Sequence, residues 1–160
     1  MLAAAACVAV AMGSLRDVNA DFRAIARLTG GVWRGKLASG LPVELRFVQT
    51  ERGKLIEGTG LVGDPGKPLL KIHTRIGLDT ANNQIYYLDA HNTDTVYFGL
   101  VTTKSGMMVF DFHELTGGHG HYIADEQLDT PDNFSSTLYS LDAHGGRHKM
   151  HRMELIRQKQ

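Results

Sequence analysis

Ten short runs of alternating apolar and polar residues follow one another from residue 32 almost to the C-terminus. No other feature constrains the fold as strongly. The runs are Val32–Ala38, Pro42–Gln49, Lys54–Val62, Leu69–Leu78, Gln84–Ala90, Thr95–Thr103, Met107–Leu115, Gly120–Leu128, Phe134–Leu141 and Arg147–Arg157. The alternation is plain where Val43, Leu45 and Phe47 oppose Glu44 and Arg46, and where Met108, Phe110 and Phe112 oppose Asp111 and His113. A period of two places alternate side chains on opposite faces of a strand, one buried and one solvated, which is the signature of an antiparallel sheet.

The connections are short. Ser39-Gly40, Arg52-Gly53, Asn82-Asn83, Ser105-Gly106 and Gly145-Gly146 read as hairpin turns, since Gly and Asn accept the positive φ that such turns need. No gap holds a crossover helix, so parallel pairing is not expected. A meander of this length leaves two open edges unless it closes on itself. The expected fold is therefore all-β, a ten-stranded antiparallel meander β-barrel, with one short N-terminal helix over Leu15–Leu28 whose Val18, Phe22, Ile25 and Leu28 share a face. Asp17 or Asn19 is expected to cap the helix, and Thr29-Gly30-Gly31 to end it. Four Leu-Asp-small triplets, at Leu78-Asp79-Thr80, Leu88-Asp89-Ala90, Leu128-Asp129-Thr130 and Leu141-Asp142-Ala143, read as strand-ending punctuation.

The 160 residues suit one domain, and 17 basic residues balance 17 acidic ones. That balance lacks the basic footprint of a nucleic-acid binder. The single Cys7 excludes an internal disulfide and a cysteine-based zinc cluster. The opening MLAAAACVAVAMG is too short for a membrane-spanning helix, so no stable membrane span is expected. It reads as a leader or an N-terminal apolar segment over residues 1–20, ahead of a barrel domain over 21–160. A leader implies a periplasmic or secreted protein; without one the chain is cytoplasmic.

The only Trp stands in Gly30-Gly31-Val32-Trp33-Arg34-Gly35, at the start of the first strand run. A short helix, Gly31-x-Trp33 and then a β-meander resembles the lipocalin and fatty-acid-binding group of barrels. The Gly31-x-Trp33-x-Gly35 pattern also resembles nitrobindin-type haem barrels and uncharacterised bacterial lipocalin-like families. The resemblance implies that Trp33 lies at the closed end under a basic residue of the last strand, Arg152 or Arg157. It also implies that His151 could serve as axial ligand if the barrel held haem. Two family features are missing. Only Ser39-Gly40 stands where fatty-acid-binding proteins carry a helix pair, and His151-Arg152-Met153-Glu154-Leu155 replaces their carboxylate-binding Arg-x-Tyr.

The side chains expected to face inward include Phe47, Leu55, Ile72, Ile76, Tyr87, Phe98, Met108, Phe110, Phe112, Tyr122, Phe134 and Leu138. Of these, Phe47, Ile72, Tyr87, Phe98, Met108, Phe110, Tyr122 and Phe134 are taken as ligand contacts, joined by His151 and Arg152 as orienting groups. Aromatic and Met side chains suit an apolar or amphipathic ligand. The expected function is non-covalent binding of such a molecule in the barrel. The alternatives are a haem barrel on His151 and a structural barrel with a filled core.

No catalytic residue, metal site or cofactor is assigned. His119 and His121 are two apart, as strand chelators are, but follow Thr116-Gly117-Gly118 and read as solvated turn residues. Asp89 and His91 have the chemistry of an acid–base pair, yet fall in a turn triplet and a polar hairpin tip. Phosphate-loop, nucleophile-elbow and His-Glu-x-x-His motifs are absent.

Overall fold

A computed structural model describes residues 16–50 and 52–159. It is a closed barrel of ten antiparallel strands in meander order, with β1 hydrogen-bonded to β10. The strands are β1 Val32–Leu37, β2 Pro42–Gln49, β3 Leu55–Asp64, β4 Lys67–Asp79, β5 Gln84–His91, β6 Val96–Lys104, β7 Met107–Glu114, β8 His121–Thr130, β9 Asn133–Leu141 and β10 Arg147–Gln158. Each falls on an expected run. Among the described strands, closure leaves no edge exposed to pair with another chain.

Among the described residues one helix, α1 Val18–Ala26, plugs an end of the barrel. It is shorter than the expected Leu15–Leu28. Leu15 lies outside the described residues, and Leu28 follows the last turn yet stays buried with Val18, Phe22 and Ile25. Burying each of these apolar side chains contributes about 1.5–3 kcal/mol. Asp17 caps the helix, its carboxylate accepting from the backbone N–H groups of Asn19 at 3.0 Å and Ala20 at 3.1 Å. Arg16 donates to Asp21 at 2.6 Å and to the Val101 carbonyl at 2.7 Å, and the Thr103 hydroxyl donates to Asp21. The expected boundary after Ala20 thus falls inside α1, whose residues from Val18 belong to the core. The leader reading of residues 1–15 lies outside the described residues.

Trp33 is fully buried at the plugged end. Its indole N–H donates to the Leu28 carbonyl at 2.8 Å, and Phe134 packs beside it at 5.7 Å between ring centroids. Of the two basic candidates in the last strand, Arg157 covers the indole. Gly31 and Gly35 make room for this arrangement. A Cβ on Gly31 (φ +81°) would lie 2.9 Å from the Gln158 carbonyl oxygen and 3.0 Å from Arg157 Cγ; one on Gly35 would collide with the Glu154 carbonyl and the Leu155 side chain. The G-x-W-x-G spacing is thus a packing requirement of the β1–β10 pair.

Strand direction sorts the interior into two ends. Trp33, Ile56, Ile76, Ile85, Val101, Met108, Phe134 and Leu155 fill the plugged end. Leu37, Val43, Val62, Leu70, His91, Tyr97, Tyr122 and Leu138 belong to the opposite half, where the cavity lies. A bulge in β10 sets Met150 between Lys149, paired with Tyr139, and His151, paired with Leu138. The extra residue turns both Met150 and His151 toward the rim.

Candidate functional site: a cavity with an acidic, aromatic wall

Inward positions in the unplugged half leave a cavity of about 380 Å³. A narrower extension of about 110 Å³ continues toward Leu28, bounded by Phe47, Thr74 and Ile76. The wall has two characters. Strands β1 to β4 with β9 and β10 supply an aliphatic side: Leu37, Val43, Leu45, Val62, Leu70, Ile72, Leu138 and Met153. Strands β5 to β8 supply an aromatic side. There Tyr87 meets Phe110 at 5.1 Å and Phe112 at 5.2 Å, while Tyr97 meets Phe112 and Tyr122 at 5.6 Å each.

Two carboxylates are set into the aromatic side. Asp89 is 6% exposed and accepts from the Thr74 hydroxyl at 2.6 Å; its other oxygen lies 3.1 Å from His91 Nε2. Glu126 accepts from the Ser136 hydroxyl at 3.3 Å. Burial, reinforced by the negative charge of Asp89 and opposed by the Ser136 hydrogen bond, pushes the Glu126 carboxyl up to about 8. Glu126 is therefore mainly protonated at neutral pH. Burial, with Asp89 and Glu126 nearby, also holds the Tyr87 phenol well above its ordinary range, and Tyr97 is raised chiefly by burial. Among the described residues, no Lys or Arg lines the cavity or its extension.

The expected contact residues separate into three groups. Ile72, Tyr87, Phe110, Tyr122 and His151 line the cavity, and Phe47 lines its extension. Met108 and Phe134 point inward but lie in the packed core at the plugged end. Phe98 and Arg152 point outward. Phe98 is 40% exposed and stacks on Tyr86, because its neighbours Tyr97 and Gly99 take the inward register of β6. Arg152 falls between inward His151 and Met153 and pairs with Glu154 at 3.0 Å on the surface. Leu55, expected inward, likewise yields that face to Ile56. His151 stands at the exposed rim, where partial burial lowers its imidazole below the ordinary value.

The residues that sequence reasoning missed as site residues are Asp89, Glu126 and Tyr97. Asp79 and Asp142 do end strands, accepting from backbone N–H groups of the following turns. Asp89 does not, since β5 continues through it to His91. The one available signal was register: Tyr122, Ala124, Glu126 and Leu128 share a face, as do Tyr87 and Asp89.

Outside the barrel, Asp111, His113 and His121 bring one donor atom each to within 4.8 Å of one another. His113 and His121 are direct cross-strand partners with rings stacked at 3.9 Å, and His121 Nε2 lies 2.6 Å from Asp111. Two imidazoles and a carboxylate are a donor set for a first-row transition ion. His121, expected with His119 in a solvated turn, instead opens β8 and finds its neighbour in His113, while His119 sits in the loop before β8.

No protein-family model matches the chain, and no curated protein is found to be similar to it. Among solved structures it is similar to the crystal structure of Rv2717c from M. tuberculosis, with a TM-score of 0.62 and 15% identity. The similarity covers 91% of this chain and 100% of that one. It is a likeness of fold.

Proposed function

We propose that the protein binds a small apolar or amphipathic molecule non-covalently inside its barrel, in the manner of lipocalin-like barrels. The observation that carries this reading is the cavity of about 380 Å³, which lies within the size range of small-molecule sites and has a largely apolar wall. Burial of ligand surface would supply roughly 25 cal/mol per Å² of apolar area. The polar groups of the aromatic side, with His151 at the rim, would orient the ligand. The apolar run at the N-terminus supports a location outside the cytoplasm.

Titration with Nile red, a neutral solvent-sensitive dye, tests the reading. Saturable fluorescence enhancement is expected for the full chain, and its loss in Ala124→Trp, where the new ring occupies the cavity. An enhancement that Ala124→Trp leaves intact, in a variant shown to be folded by circular dichroism, would contradict it.

A second reading is favoured by one placement, that of His151 on the cavity rim with a neutral imidazole available to a metal. In that reading His151 would hold haem against the aliphatic side, and the group would bring iron-centred chemistry. Haem addition should then give a Soret band that His151→Ala abolishes; no band, or one indifferent to that change, rules this reading out.

A further inference from the structure

Building on the ligand-binding reading of the cavity, we infer that its preferred ligand is an organic cation with an apolar tail, an amphipathic amine or ammonium compound. Two independent features of the wall point there. The first is charge. Asp89 and Glu126 both face the interior, and among the described residues the lining contains no Lys or Arg; the nitrogen beside them is His91 Nε2, 3.1 Å from Asp89. An anionic ligand would meet the Asp89 carboxylate in a medium of low dielectric, where like charges repel strongly, whereas a cation is attracted by Asp89 and by Glu126 once that group gives up its proton. A fatty acid is therefore the poorest match among simple amphiphiles.

The second feature is the ring cluster. Tyr87, Tyr97, Phe112 and Tyr122 pack with centroids 5.2–5.7 Å apart around the approach to these carboxyls. Aromatic faces carry negative quadrupole potential and attract ammonium groups, most strongly when water is excluded. The aliphatic side, from Leu45 and Val62 to Met153, offers the tail a surface without polar demands. One half of the cavity thus suits a cationic head and the other a hydrocarbon tail.

Binding a cation beside Glu126 expels the carboxyl proton, so affinity is linked to pH. The other titratable groups facing this space are Asp89, His91 and Tyr87 on β5, Tyr97 on β6, Tyr122 on β8 and His151 on β10. Below about pH 8 the ammonium must displace the Glu126 proton, and affinity should rise as pH approaches that value.

The test is displacement of Nile red by octylamine, 1-octanol and octanoate, which share one tail length. At pH 8 octylamine should bind more tightly than octanol by at least about tenfold, and octanoate should bind most weakly. Octylamine affinity should increase from about pH 6 to pH 8 with release of about one proton on binding, whereas octanol should show no such trend. The amine-to-alcohol ratio, taken within each variant and so insensitive to the folded fraction, should fall toward unity in Glu126→Gln and in Asp89→Asn. Equal binding of the three, tighter octanoate, or an amine preference that survives both substitutions would overturn the inference while leaving the cavity reading in place. Failure of Nile red itself to bind would instead remove the cavity reading.

Discussion

The guanidinium carbon of Arg157 lies 4.4 Å from the centroid of the Trp33 ring, and the same side chain closes the C-terminal end of α1. Its Nη1 donates to the carbonyls of Thr29 and Gly30 at 3.0 Å each, and its Nη2 to that of Arg27 at 2.6 Å. One planar group therefore caps the buried indole and satisfies carbonyls that the helix end and the Gly30-Gly31 turn leave without partners. The plug is held to the barrel by residues 128 and 130 positions apart in sequence.

Arg157→Met keeps much of the side chain's bulk but removes these bonds. A loss of about 2 kcal/mol is expected in urea unfolding, from stranded carbonyls and the lost cation–π contact. Arg157→Lys should recover little of it, because a point charge cannot serve three carbonyls and lie flat on a ring. Full recovery by Lys would reduce Arg157 to a general positive charge.

Gly31→Ala should destabilise the barrel by about 1–2 kcal/mol, since an L-residue is strained in the left-handed region. The added methyl also meets the Gln158 carbonyl oxygen at 2.9 Å. Gly40→Ala shares the positive φ (+89°) but has open space around it, so the difference between the two variants isolates the steric part.

Glu126 gives stability a definite pH trend. Its carboxyl titrates near 8 when folded and near 4.5 in an unpacked chain, so between those values the folded state holds the extra proton. Stability from this group is fully present below about pH 4.5 and falls as pH rises through about 8. The drop is on the order of a few kcal/mol, and the wild-type minus Glu126→Gln difference across a pH series of urea melts should display it. A difference independent of pH would show that Glu126 titrates as an ordinary surface carboxyl.

Phe98→Ala and Arg152→Ala should leave Nile red affinity unchanged, because both side chains lie on the outer face. Tyr87→Ala should weaken it severalfold through lost contact area. An effect of Phe98→Ala as large as that of Tyr87→Ala would mean that the inward register of β6 is wrong.

The outer cluster of Asp111, His113 and His121 predicts a metal response separate from the cavity. Added zinc should raise the melting temperature of the wild type, since binding to the folded state alone is stabilising. His113→Ala should abolish the shift, and Nile red affinity should not respond to zinc. An equal zinc shift in His113→Ala would place the ion elsewhere.

How far the sequence could be read follows from what periodicity encodes. Alternation located every strand, and short Gly- and Asn-bearing turns left a closed meander as the consistent topology. The resemblance to lipocalin-like barrels, rather than periodicity, implied that Trp33 lies at the plugged end, with Arg157 as one of two candidates to cover it. Periodicity separates two faces without labelling them, however. Tyr97 and Phe98 are both aromatic, and it is Tyr97 that shares the inward face of β6 with Gly99 and the fully buried Val101. Asp89 carries the same Leu-Asp-small context as Asp79 and Asp142, and only the barrel distinguishes a strand-ending aspartate from one that faces a cavity. The His113–His121 pair depends on the register across the β7–β8 loop, which spacing within either strand does not reveal. Met150 at the rim depends on a bulge, an irregularity that alternation cannot anticipate.

The central claim is that the barrel encloses a ligand site, and calorimetric titration of 1-octanol at several temperatures addresses it most directly. One saturable site per chain is predicted, with a negative heat-capacity change from apolar burial, and its loss in folded Ala124→Trp. No saturable heat in the wild type, or an unchanged isotherm in Ala124→Trp, would contradict the claim.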